Sequence, residues 1–144
     1  MRLQMMGAAC AALFSWTGAA HATATLICES KGKSLEFSLQ GAVGSIASSV
    51  SGLQAEIELK AAGAEPARKV AFDSDSLVQR WIEGLDLKLW LRAEHDEKTP
   101  ELDLVIETRR KSNKSDKYVG SFRLTVEGAK APRTFAGKVS CSID

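Results

Sequence analysis

An all-β, single-domain antiparallel β-sandwich or flattened barrel of about eight or nine strands, its terminal strands joined by a disulfide, is the fold class this sequence predicts. Three observations carry that expectation. Apolar and polar residues alternate with period two along most of the chain after residue 25, the mark of half-buried strands. Short polar or glycine-bearing breaks separate the alternating runs. Cys28 and Cys141, the two cysteines after residue 22, fall on the apolar sides of the first and last runs.

The chain opens Met1-Arg2, continues through the apolar stretch from Met5 to Phe14 and reaches Ala20-His21-Ala22. A basic start, a short apolar core and a small-x-small exit predict a secretory signal peptide over residues 1–22, cut after Ala22. The apolar run is shorter than the roughly 18 residues a spanning helix needs, so no membrane span is expected. A lipid anchor on Cys10 would want a large aliphatic residue three positions earlier, where Gly7 stands, so Cys10 is expected to leave with the signal. Residues 23–144 then form a single β domain, placed in the periplasm or secreted.

Of 19 Lys+Arg and 18 Asp+Glu, residues 1–22 contribute only Arg2, so the remaining chain has 18 of each and is formally neutral. No global field draws it to nucleic acid or anionic lipid. An even cysteine pair in an exported chain reads as a disulfide, because that compartment lets the bond persist. If both residues face the core, the bond requires the first and last strands to meet.

Taken in order, Leu26 and Cys28 begin the first strand, and Leu35, Phe37 and Leu39 share one face of the next. The small-residue stretch from Gly41 to Gly52 gives few side chains that choose a face; it reads as an edge strand or loop, or as the lining of a cavity. Leu53, Ala55, Ile57, Leu59 and Ala61 predict another strand, and Val70 and Phe72 a short one. In Asp73-Ser74-Asp75-Ser76 the carboxylate spacing resembles the start of a calcium loop, but the downstream glycine and glutamate are missing, so a polar turn is expected. Leu77, Val78, Trp81 and Ile82 match a helical stripe as well as a strand that turns at Glu83-Gly84; the consistent alternation elsewhere favours the strand.

Leu85, Leu87, Leu89 and Leu91 pair by pattern with Leu102, Leu104 and Ile106 across a charged loop, His95 to Pro100. The polar run Arg109 to Lys117 reads as the next hairpin turn, leading to Tyr118, Gly120, Phe122, Leu124 and Val126 on one face. Gly128 to Pro132 makes the last turn before Phe135, Gly137, Val139 and Cys141.

The chemistry-bearing residues are sparse. His95, in a turn beside Glu94, Asp96 and Glu97, could join a metal site but reads as a solvated tip, and committing both cysteines to a disulfide removes Cys/His nucleophile pairs and zinc sites of that type. No catalytic residue, metal or cofactor is therefore expected. Arg109, Arg110, Lys111, Lys114 and Lys117 form the densest charge, either a contact for an anionic partner or a soluble tip that discourages edge pairing. Few aromatics interleave them, which disfavours nucleic acid. Asn113-Lys114-Ser115 is a glycosylation acceptor pattern that matters only in a eukaryotic secretory route.

Trp90 lies opposite the leucines among Asp86, Lys88 and Arg92, so it either marks a contact surface or packs beside Trp81 or Val105. The function expected is an exported non-enzymatic binding or inhibitor-like module acting through an exposed sheet face and hairpin loops. Its candidate contacts are Trp90, Arg92, Arg109, Arg110, Lys111 and Lys114, and its partner an envelope or extracellular protein or glycan. The alternatives are a small apolar-ligand carrier with an internal cavity, and a hydrolase built on Asp73, Asp75, Glu94 and Asp96.

Overall fold

The alternating runs become strands of a single antiparallel sheet in the computed structural model, which describes residues 23–45, 49–60, 68–93, 101–127 and 131–144. The strands are β1 (Ala24–Lys31), β2 (Leu35–Val43), β3 (Val50–Leu59), β4 (Arg68–Phe72), β5 (Leu77–Glu83), β6 (Asp86–Ala93), β7 (Glu101–Arg110), β8 (Lys117–Glu127) and β9 (Arg133–Ile143). Their order across the sheet is β4-β3-β2-β1-β9-β8-β7-β6-β5, so the chain ends pair at the middle of the sheet and the mid-chain strands form its edges.

The sheet curls into a half-barrel. Phe37 on β2 and Phe122 on β8 are three strand spacings apart, about 14 Å on a flat sheet. Their rings instead meet edge to face with centroids 5.1 Å apart. Only curvature that brings the two halves of the concave face together allows this contact. That face is one continuous apolar cluster from Leu26 and Leu39 through Leu89 and Leu104 to Leu124 and Val139.

Glycine helps the curl. Gly120 faces inward on β8, where a Cβ would stand 2.7 Å from the Thr108 Cα and against the Glu107 carbonyl oxygen. At Gly137 on β9 a Cβ would meet the ring of Phe122, its cross-strand partner, at 2.8 Å, so the ring lies over the space a side chain would fill.

The expected clasp is present. Cys28 and Cys141 are register partners joined by a disulfide with Cα atoms 4.0 Å apart. Thr25 and Asp144 exchange both backbone hydrogen bonds, at 2.7 and 3.0 Å, which makes the alternate pairs of this ladder, including Cys28 and Cys141, the close non-hydrogen-bonded ones. Both sulfur-bearing residues belong to the core cluster and are 0% and 2% exposed.

Three segments differ in detail from the sequence reading. The stretch from Gly41 to Gly52 is not an edge strand: Gly41–Val43 ends β2 and Val50–Gly52 begins β3, both interior strands, while residues 46–48 between them lie outside the described residues. The register shifts there, with Gly52 at φ +57°, a bulge that explains the missing alternation. Residues 77–83 form a strand, as favoured, but Val78 is an extra residue between the pairs Leu77–Leu91 and Gln79–Trp90. That bulge breaks period two and produced the helix-like stripe. Arg109 and Arg110 belong to β7, so the turn is confined to residues 111–116.

The polar turn at residues 73–76 is a 3₁₀ turn. Asp73 Oδ1 accepts from the Asp75 and Ser76 amides and the Ser76 hydroxyl, while Ser74 Oγ accepts from the Leu53 amide at 2.9 Å and pins the connection to β3. Among the described residues no helix is long and apolar enough to cross a membrane.

Candidate binding surface

Because side chains alternate along each strand, a sheet whose concave face is filled with leucine presents its other face to solvent. On the outer face of β5, β6 and β7 the register aligns Gln79, Trp90 and Val105 in one row and Trp81, Lys88 and Glu107 in the next. Trp81 is 51% exposed. Trp90 is half-buried, and the two indoles occupy diagonal positions on neighbouring strands, where side chains stand about 7–8 Å apart. Both line a shallow depression of about 480 Å³, with Gln79, Arg80, Asp86, Lys88, Val105 and Glu107 around them.

Trp90 is held in place. Its Nε1 donates to Asp103 Oδ1 at 2.6 Å, and the Arg92 guanidinium sits over its ring at 5.2 Å from the centroid. Arg92 in turn donates to both Asp103 oxygens, at 3.2 and 2.8 Å, and its Nε lies 3.4 Å from Glu101. The Arg92 hydrogen bonds hold the Asp103 carboxyl below its ordinary value; partial burial pulls the other way, and the Trp90 N–H and the Arg92 charge add to the lowering. The same hydrogen bonds and charge raise the Arg92 guanidinium. Asp103 was not singled out in the sequence; its place two residues after Glu101 and opposite Arg92 in the leucine hairpin is the signal that could have found it.

The basic residues expected to act together are divided by the pleat. Arg109 points outward, 68% exposed at its side chain, with Nε 3.7 Å from Asp86. Arg110 points the other way: its guanidinium lies over the Tyr118 ring at 5.3 Å, and Nη2 donates to the Gly84 carbonyl at 2.9 Å. Further bonds reach the Ser115 carbonyl and Asn113 Oδ1, which ties the β5–β6 and β7–β8 turns together. Lys111 and Lys114 are exposed in the turn. Trp90 and Arg92 thus share one site, Arg109 borders it through Asp86, and Arg110 is a fold contact.

Asp73 spends one oxygen on the turn it caps. His95, Glu94, Asp96 and Glu97 lie outside the described residues, as do residues 1–22 with Cys10. Among the described residues no group of three or more His, Cys, Asp or Glu could hold a metal ion. A second depression, about 420 Å³, lies over β1–β4 among Glu29, Glu36, Glu56, Glu58, Lys31 and Lys69. No family model, curated protein or solved structure matches this chain.

Proposed function

We propose that this protein is an exported, non-enzymatic binding module that engages its partner through the outer face of β5–β7, around Trp90 and Trp81. The observation that carries the reading is the pinned tryptophan. Core packing does not require Trp90 or Trp81, since the concave face is already continuous, yet Trp90 is fixed by a hydrogen bond and a stacked guanidinium beside a second, exposed indole. Fixing an aromatic anchor before contact lowers the entropy lost on binding, and tryptophan is enriched at binding hot spots.

In this reading residues 1–22 direct export and are removed after Ala22, and the domain works in the periplasm or outside the cell, where Cys28–Cys141 persists. N-terminal sequencing of the exported protein is expected to begin at Thr23. The basic turn is secondary: Lys111 and Lys114 stand apart from the indoles, and Arg110 serves the fold. Nothing among the described residues favours a ligand carrier, because the inward side chains pack into one cluster.

Crosslinked affinity capture from the native envelope tests the proposal. The wild-type domain should retain species that the pair Trp81→Ala and Trp90→Ala loses and that Lys111→Glu with Lys114→Glu keeps. Capture unchanged by the tryptophan pair would overturn this surface.

A further inference from the structure

Resting on that reading, we infer that the partner is a neutral saccharide, whose rings stack on Trp81 and Trp90 in the depression of about 480 Å³. Four features of the site point to this chemistry. The first is what the anchors have left to offer. Its N–H is given to Asp103 and one face of its ring is covered by Arg92, so Trp90 can offer a ligand carbon surface and its remaining face rather than a donor, beside the exposed indole of Trp81. The π face of an indole is negative, and a pyranose ring presents a face of C–H bonds that carry partial positive charge.

The second is charge. Arg80, Lys88, Arg92 and Arg109 at or beside the depression are matched by Asp86, Glu101, Asp103 and Glu107, so no net field selects an anion or a cation. The third is hydrogen bonding at the rim. Gln79 supplies both donor and acceptor, Lys88 donors, and Asp86 and Glu107 acceptors, which suits hydroxyl groups that donate and accept at once.

The fourth is width. The Lys88–Glu107 pair, at 3.5 Å, and the Arg92–Asp103 pair, at 2.8 Å, lie on the rows either side of Trp90 and Val105. Two residues along a strand is about 7 Å, so each ion pair stands about 7 Å from the Trp90–Val105 row and the apolar strip is one row wide before ions bound it, with Trp81 at the β5 end of the Lys88–Glu107 row. A protein partner burying a standard patch of about 800 Å² on this side would cover both pairs and desolvate them, which is costly. A hydroxyl-rich ring can hydrogen-bond them while they stay wet. Diagonal placement gives Trp81 and Trp90 separate positions, so a chain of at least two sugar units can use both.

Of the three tryptophans, Trp16 lies in the segment read as removed after Ala22, so in exported protein that begins at Thr23 all indole fluorescence comes from Trp81 and Trp90. The probes are soluble hexasaccharides of glucose, N-acetylglucosamine, mannose and galactose, with heparin as the anionic comparison. At least one neutral hexasaccharide should shift the emission saturably with a Kd of about 1 mM or tighter. Trp81→Ala, whose exposed side chain leaves the fold intact, should weaken that binding at least tenfold, as followed by gel retardation in the matching polysaccharide. Trp90→Phe should weaken it by a smaller factor, and Lys114→Glu, in the turn apart from the indoles, should leave it unchanged. No saturable shift with any neutral probe, or a response to heparin alone, overturns the saccharide. If envelope capture still depends on Trp81 and Trp90 in that case, the binding surface stands and its partner is an anionic glycan where heparin responds and a protein where no sugar does; if both fail, the surface itself is wrong.

Discussion

Arg110 Nη2 and the carbonyl oxygen of Gly84 are 2.9 Å apart although 26 residues separate them, and this bond joins two hairpin turns at one end of the half-barrel. The Arg110 backbone amide adds a bond to the Leu85 carbonyl at 2.9 Å, and Gly84 holds φ +58°, the left-handed conformation its two-residue hairpin uses. Arg110→Ala should therefore destabilise the domain by about 1–3 kcal/mol in urea unfolding, through lost charge-assisted bonds and lost packing on Tyr118. Arg109→Glu, on the outward side of the same strand, should fall within about 0.5 kcal/mol of wild type apart from its exposed pair with Asp86.

Removing the clasp with Cys28→Ser and Cys141→Ser should lower stability by about 2–5 kcal/mol, since the closed loop has a sequence separation of 113. Both residues are buried, so in the wild-type domain thiol reductants should act at a rate that tracks unfolding. Reduction in native buffer as fast as in urea would contradict the buried placement.

Gly120→Ala should destabilise by about 1–3 kcal/mol or more, because the added Cβ meets backbone atoms of Glu107 and Thr108 that cannot move without breaking the β7–β8 ladder. Gly137→Ala should be milder. Its Cβ meets the Phe122 ring, which can rotate away from its contact with Phe37. Thermal unfolding of the two variants side by side checks the order.

The lowered Asp103 carboxyl gives a signed pH dependence. A carboxyl depressed in the folded state adds stability above its ordinary value, 3.8, and that contribution is lost as pH falls through the folded value. Asp103→Asn should flatten the acid limb of the stability curve below about pH 4 and leave the neutral limb shallow, a modest effect because the pair is partly solvated. Indole emission of the exported protein should report the same titration, since the Trp90 N–H loses an anionic acceptor when Asp103 is protonated.

Much of the fold was legible because period two is a direct image of which face is buried. Leu87, Leu89 and Leu91, or Leu102, Leu104 and Ile106, needed no further information. Legibility failed at the bulges. An extra residue, Val78 on β5 and one beside Gly52 on β3, shifts the phase so that neither face reads cleanly. The site was half legible. Trp90 stood out as an aromatic on the polar side, whereas Arg109 and Arg110 looked equivalent as neighbours in sequence and are opposite in space, and Asp103 gained its role only when β6 was laid against β7.

The mutual hydrogen bonds of Thr25 and Asp144 lay the two ends of residues 23–144 side by side, so this span is a ring in all but one covalent link. Walk the sheet from β5 through β9, cross to β1 and continue to β4, and every neighbour in space is a neighbour along that ring. The natural order breaks the ring at its centre and connects its two rims through residues 73–76, so β1–β9 is the one pairing that must be found across the whole chain. A permutant of residues 23–144, joined from Asp144 to Thr23 by a short linker and opened within residues 73–76, would be an uninterrupted meander of local hairpins. Such a chain should refold faster than the natural order. Its cysteines should become nearly dispensable, because the linker then does what the sulfur bridge does now.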